Sequence, residues 1–131
     1  MSQKPIEVIL MRQLASYLSI PTFVVDAEGT LLFYNEPAEL LLGRRFDEAG
    51  EMGLEVWSTT FLPTDEDGSP LPPEALPLTI ALRERRPTHR TIGFTGLDGV
   101  SKHIELTAFP LEGQGGRHLG AVAMFWVAEK P

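Results

Sequence analysis

The chain of 131 residues contains no cysteine. Disulfides, thiolate metal sites, a cysteinyl flavin adduct and a cysteine nucleophile are therefore excluded. Long apolar runs are also missing: nothing approaches the roughly 18 consecutive apolar residues of a membrane-spanning helix. The opening residues, Met1-Ser2-Gln3-Lys4-Pro5, lack the basic and then apolar stretches of a signal peptide. A cytoplasmic protein is the expectation. Positive charge is scarce: 11 Lys and Arg stand against 18 Asp and Glu, for a formal net charge of −7. The imbalance is uneven, with twelve acids but only Arg44 and Arg45 as bases between Asp26 and Glu74. Such a surface repels phosphate backbones and anionic lipid, so neither nucleic acid nor membrane is an expected partner. Arg83, Arg85, Arg86 and Arg90 form a small basic patch, read either as a solvated helix end facing an acidic neighbour or as an anion or partner site.

Hydrophobic residues make up 43% of the chain, enough for one well-packed domain of common size. Residues 5–19 read as a helix, with Pro5 suited to its first turn and Pro21 stopping the pattern. At about 100° per residue its apolar side chains spread over roughly 200°, twice the stripe that one core requires. Either a partner covers the surplus, or a small domain wraps the helix fully. Residues 22–26 and 30–34 are strands joined at Asp26-Ala27-Glu28-Gly29, where Gly29 can take positive φ. Asn35 caps a short helix whose buried side is Leu40, Leu41 and Leu42. One or two helical turns follow over 44–62, then a polar loop around Asp67-Gly68. A longer helix runs over 73–86, with Pro77 in its first turn or so. Strands follow over 88–97, 100–111 and 118–127. The last is apolar throughout, which points to a central strand covered on both faces.

Several of these segments together resemble the PAS family: Phe23-Val24-Val25-Asp26-Ala27-Glu28-Gly29, then Leu31-Leu32-Phe33-Tyr34-Asn35, then Glu36-Pro37-Ala38-Glu39-Leu40-Leu41-Leu42-Gly43. Asp67-Gly68-Ser69-Pro70 with Leu76-Pro77-Leu78-Thr79-Ile80-Ala81-Leu82-Arg83 looks like the loop and long helix of bacterial sensor members. Asp98-Gly99, Ile104-Glu105-Leu106-Thr107-Ala108-Phe109-Pro110-Leu111 and Gly120-Ala121-Val122-Ala123-Met124-Phe125 resemble the last strands. The resemblance covers roughly residues 20–127 and rests on order and spacing. It implies an α+β fold with a five-stranded antiparallel sheet in the order 2-1-5-4-3. Mid-chain helices lie on one face, and residues 1–19 form a flanking amphipathic helix before a domain of residues 20–131. Many members end their last strand in Asp-Ile-Thr. Here the matching place reads Val127-Ala128-Glu129, so the usual relay into a C-terminal output helix is not expected.

Family members enclose a pocket between sheet and helices, and the expected lining here is Trp57, Phe61, Leu78, Leu82, Phe94, Ile104, Leu106, Val122 and Met124, with Leu40 and Ile92 as further candidates. The same residues could simply fill a core. Strand register stays open, because a one-residue slip in the turn near Gly96 to Gly99 exchanges inward and outward sets. The cofactor is unknown. Flavin-adduct members carry a cysteine motif after the position of Gly43, absent here, and haem-binding members use a histidine of the long helix, where 73–86 has none. His89, His103 and His118 stand near strand starts, and no third ligand joins His103 and Glu105, so no metal site is assigned.

The expected function is a signalling module that homodimerises through residues 5–19 or binds a signalling protein. In one form it senses a small organic ligand between the sheet and helix 73–86. In the other it is a purely structural interaction domain. A cavity above roughly 300 Å³ with inward polar groups favours the first form. A third reading is a cone-like α+β isomerase or dehydratase using Glu105 and His103 in an apolar cavity. No oxyanion partner, nucleophile elbow, phosphate loop or HExxH accompanies that pair, so no catalytic residue is assigned and an enzyme is not expected.

Overall fold

The computed structural model describes residues 5–60, 62–96 and 99–128. Its elements are α1 (Ile6–Ala15), β1 (Thr22–Asp26), β2 (Leu31–Tyr34), α2 (Glu36–Leu42), α3 (Phe46–Ala49), α4 (Leu54–Thr60), a 3₁₀ turn (Pro73–Ala75), α5 (Pro77–Glu84), β3 (Thr88–Thr95), β4 (Ser101–Glu112) and β5 (His118–Val127). The five strands form one antiparallel sheet in the order β2-β1-β5-β4-β3. The expected fold is thus present, with the apolar last strand at its centre.

Turn chemistry sets the β1–β2 hairpin. The Asp26 carboxylate accepts the backbone N–H groups of Glu28 and Thr30 at 3.0 and 2.9 Å, and Gly29 adopts φ +90°. The Trp57 indole N–H donates to the Gly29 carbonyl at 2.7 Å and pins α4 against this turn. Asn35 accepts the Ala38 N–H and so starts α2.

The sheet separates two apolar clusters. Phe23, Val25, Tyr34, Ile92, Phe94, Ile104, Ala121, Ala123 and Phe125 pack with Leu42, Trp57, Leu78 and Leu82 on the inner side. Val24, Leu32 and Leu119 pack with Val8 and Ala15 of α1 on the outer side. The strand pairing resolves the open register: Thr95 lies opposite Ser101 and Ile92 opposite Ile104. Paired residues share a face, so both isoleucines enter the core.

Several expectations are corrected. The first helix ends at Ala15, short of residue 19, because Ser16 and Tyr17 form a turn and the Asn35 amide takes the Ala15 carbonyl. The expected helix over 73–86 is two pieces: Leu76 is extended at ψ 138°, since a residue before proline is pushed out of helical geometry. In α2, Ala38 and Leu42 are buried one turn apart, which leaves Leu40 on the far side and 77% exposed. The cover over β5 is partial: Trp126 is exposed on the outer face, because α1 packs chiefly over β1 and reaches only part of β5, and Val127, opposite Ile104 on the inner face, is exposed at the end of the strand.

Candidate functional site

Between the sheet and the mid-chain helices lies a cavity of about 70 Å³. Its wall is Phe23, Leu42, Trp57, Pro63, Leu76, Pro77, Leu78, Ile92, Phe94, Ile104, Leu106, Ala123 and Phe125. No charged side chain is among them. The hydroxyls of Ser58 and Thr79 are buried with no hydrogen-bond partner among the described residues, but neither lines the cavity.

Of the expected lining, Trp57, Leu78, Phe94, Ile104 and Leu106 meet at this cavity, as does Ile92. Leu82 is buried in the same cluster but lies away from the wall, with its Cδ2 toward Gly29. Phe61 falls outside the described residues. Leu40 points to solvent. Val122 and Met124 are a correction: Val122 pairs with Val24 and Met124 with Thr22, on the side of the sheet that carries α1. Ala123 and Phe125 take the inward positions instead. Alternation cannot be read from an all-apolar strand, so only pairing with Phe23 of β1 fixes which set faces inward. Phe23, missed at the sequence level, was accessible through the period-2 pattern of β1, whose Phe23 and Val25 share the inner cluster.

On the outer side, α1 buries Val8 and Ala15 but exposes Ile6, Leu10 and Leu14 at 64%, 54% and 51%. Ile9 and Tyr17 are exposed as well. The charges of α1 are engaged within the chain: the Arg12 guanidinium lies over the Phe33 ring, and Glu7 faces Arg117 at 3.7 Å. Beside α1 the outer sheet face continues through Val122, Met124 and Trp126 of β5, with Thr107 opposite Met124 and Glu105 opposite Trp126.

Glu105 lies 3.3 Å from His89 and accepts the Trp126 indole N–H at 3.3 Å. It therefore sits on the sheet face away from the inner cavity, and His103 shares its side of β4, so the isomerase-like reading loses its acid. A second groove, of about 400 Å³, lies at the sheet end near Gly93, Lys102 and His103. The basic patch is a solvated one with acidic neighbours: Arg85 meets Glu112 at 2.6 Å, Arg86 meets Glu84 at 2.8 Å and Arg90 meets Asp65 at 3.3 Å.

Asn35 joins the two sides. It is 1% exposed. Its Oδ1 accepts from the N–H groups of Thr22 and Ala38 at 3.0 and 3.2 Å. Its Nδ2 donates to the carbonyls of Ala15 and Ile20 at 2.9 Å each, with Leu18 at 3.4 Å. Sequence reasoning found the cap alone, because the donor half of the amide acts on residues 15 to 20 positions away. The neighbouring Tyr34 is 1% exposed and donates its hydroxyl to the Arg44 carbonyl at 2.9 Å. Burial, reinforced by Glu39, pushes its phenol up to about 12.

A sequence-family profile described as the PAS fold matches residues 16–128. No curated protein matches the chain. Among solved structures, the PAS domain of Bordetella pertussis BvgS is similar at 19% identity and a TM-score of 0.64, over 95% of this chain and 87% of that one. The PAS domain of nitrogen regulation protein NR(II) from Vibrio parahaemolyticus is similar at 19% identity and a TM-score of 0.63, over 91% and 98%. The Rhodobacter sphaeroides LOV protein reaches a TM-score of 0.72 at 12% identity, over 96% of this chain and 70% of that one.

Proposed function

Because the chain belongs to the PAS-fold family, we propose that it is a signalling interaction module that pairs with a second copy of itself through α1. The observation that carries this reading is the row Ile6, Leu10 and Leu14, spaced four residues apart along one side of α1 and each at least half exposed. Residues four apart on a helix lie one above the other, so these three make a continuous apolar ridge. A ridge of this kind is self-complementary across a two-fold axis, where the same patch serves both copies. The outer face of β5 with Met124 and Trp126 extends it. Sedimentation at about 100 μM is expected to give a dimer. The double variant Leu10→Glu, Leu14→Glu is expected to be a folded monomer, since both side chains are exposed in the single chain. A wild-type monomer at that concentration would sink the reading.

The cavity bears on the ligand-sensing form. Pockets for organic ligands of ordinary size enclose about 300–1,000 Å³ and place a few polar groups inward. The space here is about 70 Å³ with an apolar wall. That favours interaction as the main task, and leaves room for no more than a small neutral apolar guest. The likeness to the LOV protein at 12% identity carries the fold and not that protein's chemistry. Native mass spectrometry of the purified chain reads bound mass and chain count together, and a bound organic molecule of cofactor size would reverse this preference.

A further inference from the structure

We infer that the groove at the end of the sheet, between the close of β3 and the start of β4, is a binding site for a small organic monocarboxylate. Its volume of about 400 Å³ lies within the range of sites for small organic molecules, and that of the inner cavity does not. The site is independent of the pairing surface on α1. Gly93 of β3 is buried beneath the groove. Glycine inside a strand weakens it and marks a place where something comes close to the backbone. Here Thr64 does so: its N–H and C=O pair with those of Gly93 at 2.8 and 2.9 Å, which extends the sheet beyond β3 by one residue. A Cβ on Gly93 would strike the Thr64 hydroxyl oxygen and stand 3.8 Å from His103 Nε2. The hydroxyl and the imidazole thus converge over one bare stretch of backbone, with His103 opposite Gly93 on β4. Neither side chain has a hydrogen-bond partner among the described residues.

Charge selects the guest. Lys102 lines the same groove, is half-buried, and meets no carboxylate among the described residues. By contrast, Arg45, Arg85, Arg86, Arg90 and Arg117 each face an acid of their own chain. The groove lining contains no Asp or Glu, although acids outnumber bases 18 to 11 in the chain. An unpaired ammonium beside free hydroxyl and imidazole groups matches a carboxylate, which brings one negative charge and acceptor oxygens only. A single lysine on a molecule of net charge −7 disfavours a polyanion. Leu62, Val127 and Ala128 supply apolar wall for a short hydrocarbon body.

Amide-resolved NMR titration of the full chain tests the assignment. Sodium acetate, butyrate and benzoate are added to about 20 mM at constant ionic strength, since exposed ion pairs are screened by salt. Benzamide and sodium sulfate are the controls. At least one of butyrate and benzoate is expected to give saturable shifts at Gly93, Thr95, Ser101 and His103, with a dissociation constant below about 5 mM. Benzamide, which lacks the charge, is expected to bind at least about fivefold more weakly than benzoate. Lys102→Gln is expected to weaken carboxylate binding by a similar factor, and Thr64→Val, which keeps the backbone pairing, by about threefold. No saturable shift at these amides with any of the three acids overturns the inference. Equal binding of benzoate and benzamide, or full binding by Lys102→Gln, overturns it as well, because charge would then play no part. Sulfate binding as tight as the acids would mark a diffuse preference for anions, and shifts centred on Leu78 and Phe125 would move the acid to the inner cavity; either result removes the site. Should a variant fail to fold, the comparison of benzoate with benzamide on the native chain decides the matter.

Discussion

Tyr34 sits where three elements meet. Its ring stacks on Phe23 at 5.5 Å and packs edge-on to Phe46 at 5.2 Å, while its hydroxyl caps the Arg44 carbonyl. A phenolate there would lose hydration, and Glu39 and Glu48 would repel it, so the folded chain holds the proton to about 12. The unfolded chain releases it near 10. The folded state therefore binds more protons between those values, and stability is present below about pH 10 and lost as pH rises toward 12. Urea unfolding from pH 9 to 11.5 is expected to show this fall, and Tyr34→Phe is expected to flatten it; an unchanged slope in the variant would assign the loss to other groups. Gly120 is constrained by contact instead of charge. It has φ +147°, and a Cβ there would drive into the Val25 carbonyl, with the Asp26 Cα 3.0 Å away. Backbone of β1 cannot yield as a flexible side chain would, so Gly120→Ala is expected to lose about 3 kcal/mol or more, measured by urea denaturation. A loss below about 1 kcal/mol would mean that the β1–β5 pairing relaxes at that end.

The end of α5 shows how two modest effects compete within an element. Arg85 holds φ +56°, a conformation that glycine adopts freely and arginine does not. Its guanidinium reaches across to Glu112 and donates to the Gly116 carbonyl, tying α5 to the β4–β5 connection. Both partners of the ion pair are about two-fifths exposed, so the pair is worth at most about 1 kcal/mol. Glycine would recover about the same amount from the backbone. Arg85→Gly is therefore expected within about 0.5 kcal/mol of wild type, and Arg85→Ala about 1 kcal/mol or more below it, both from chemical denaturation; the reverse order would make the clamp dominant. The elements differ in how far their sequences announce them. The Asp26 turn, the Asn35 cap and the central place of β5 were legible, because each depends on local hydrogen bonding or on a long apolar run. The break at Leu76 was carried by Pro77, yet a proline near a helix start fits both a first turn and a stop. The inward set of β5 was not legible, since an all-apolar strand has no alternation and its facing is decided by Phe23 lying opposite Ala123. The cavity followed the same divide: Phe94, Ile104 and Leu106 of the alternating β3 and β4 lie in its wall, whereas Val122 and Met124 of the all-apolar β5 lie on the opposite face of the sheet. The Asn35 link to α1 was hidden because hydrogen bonds between residues far apart leave no local pattern.

At the scale of the whole molecule, the net charge of −7 bears directly on pairing. Two copies repel at long range, and the repulsion weakens as the Debye length shortens from about 30 Å at 0.01 M salt to about 8 Å at 0.15 M. Opposing this would be salt-sensitive ion pairs across the interface. The described charges of α1 are ill placed to supply them: Arg12 stacks on its own Phe33, and Glu7 turns toward its own Arg117. The attraction left is burial of Ile6, Leu10 and Leu14, which added sodium chloride at these concentrations does not oppose. Self-association is thus expected to tighten as salt rises, opposite in sign to binding of a polyanion, where counterion release makes affinity fall. Sedimentation equilibrium at 0.01, 0.15 and 0.5 M sodium chloride reads this directly. The dissociation constant is expected to fall severalfold over the first step and little over the second, because most of the screening is complete by 0.15 M. A dissociation constant that rises with salt would mean that ion pairs hold the two copies together, and the apolar ridge of α1 would then not be the surface on which they meet.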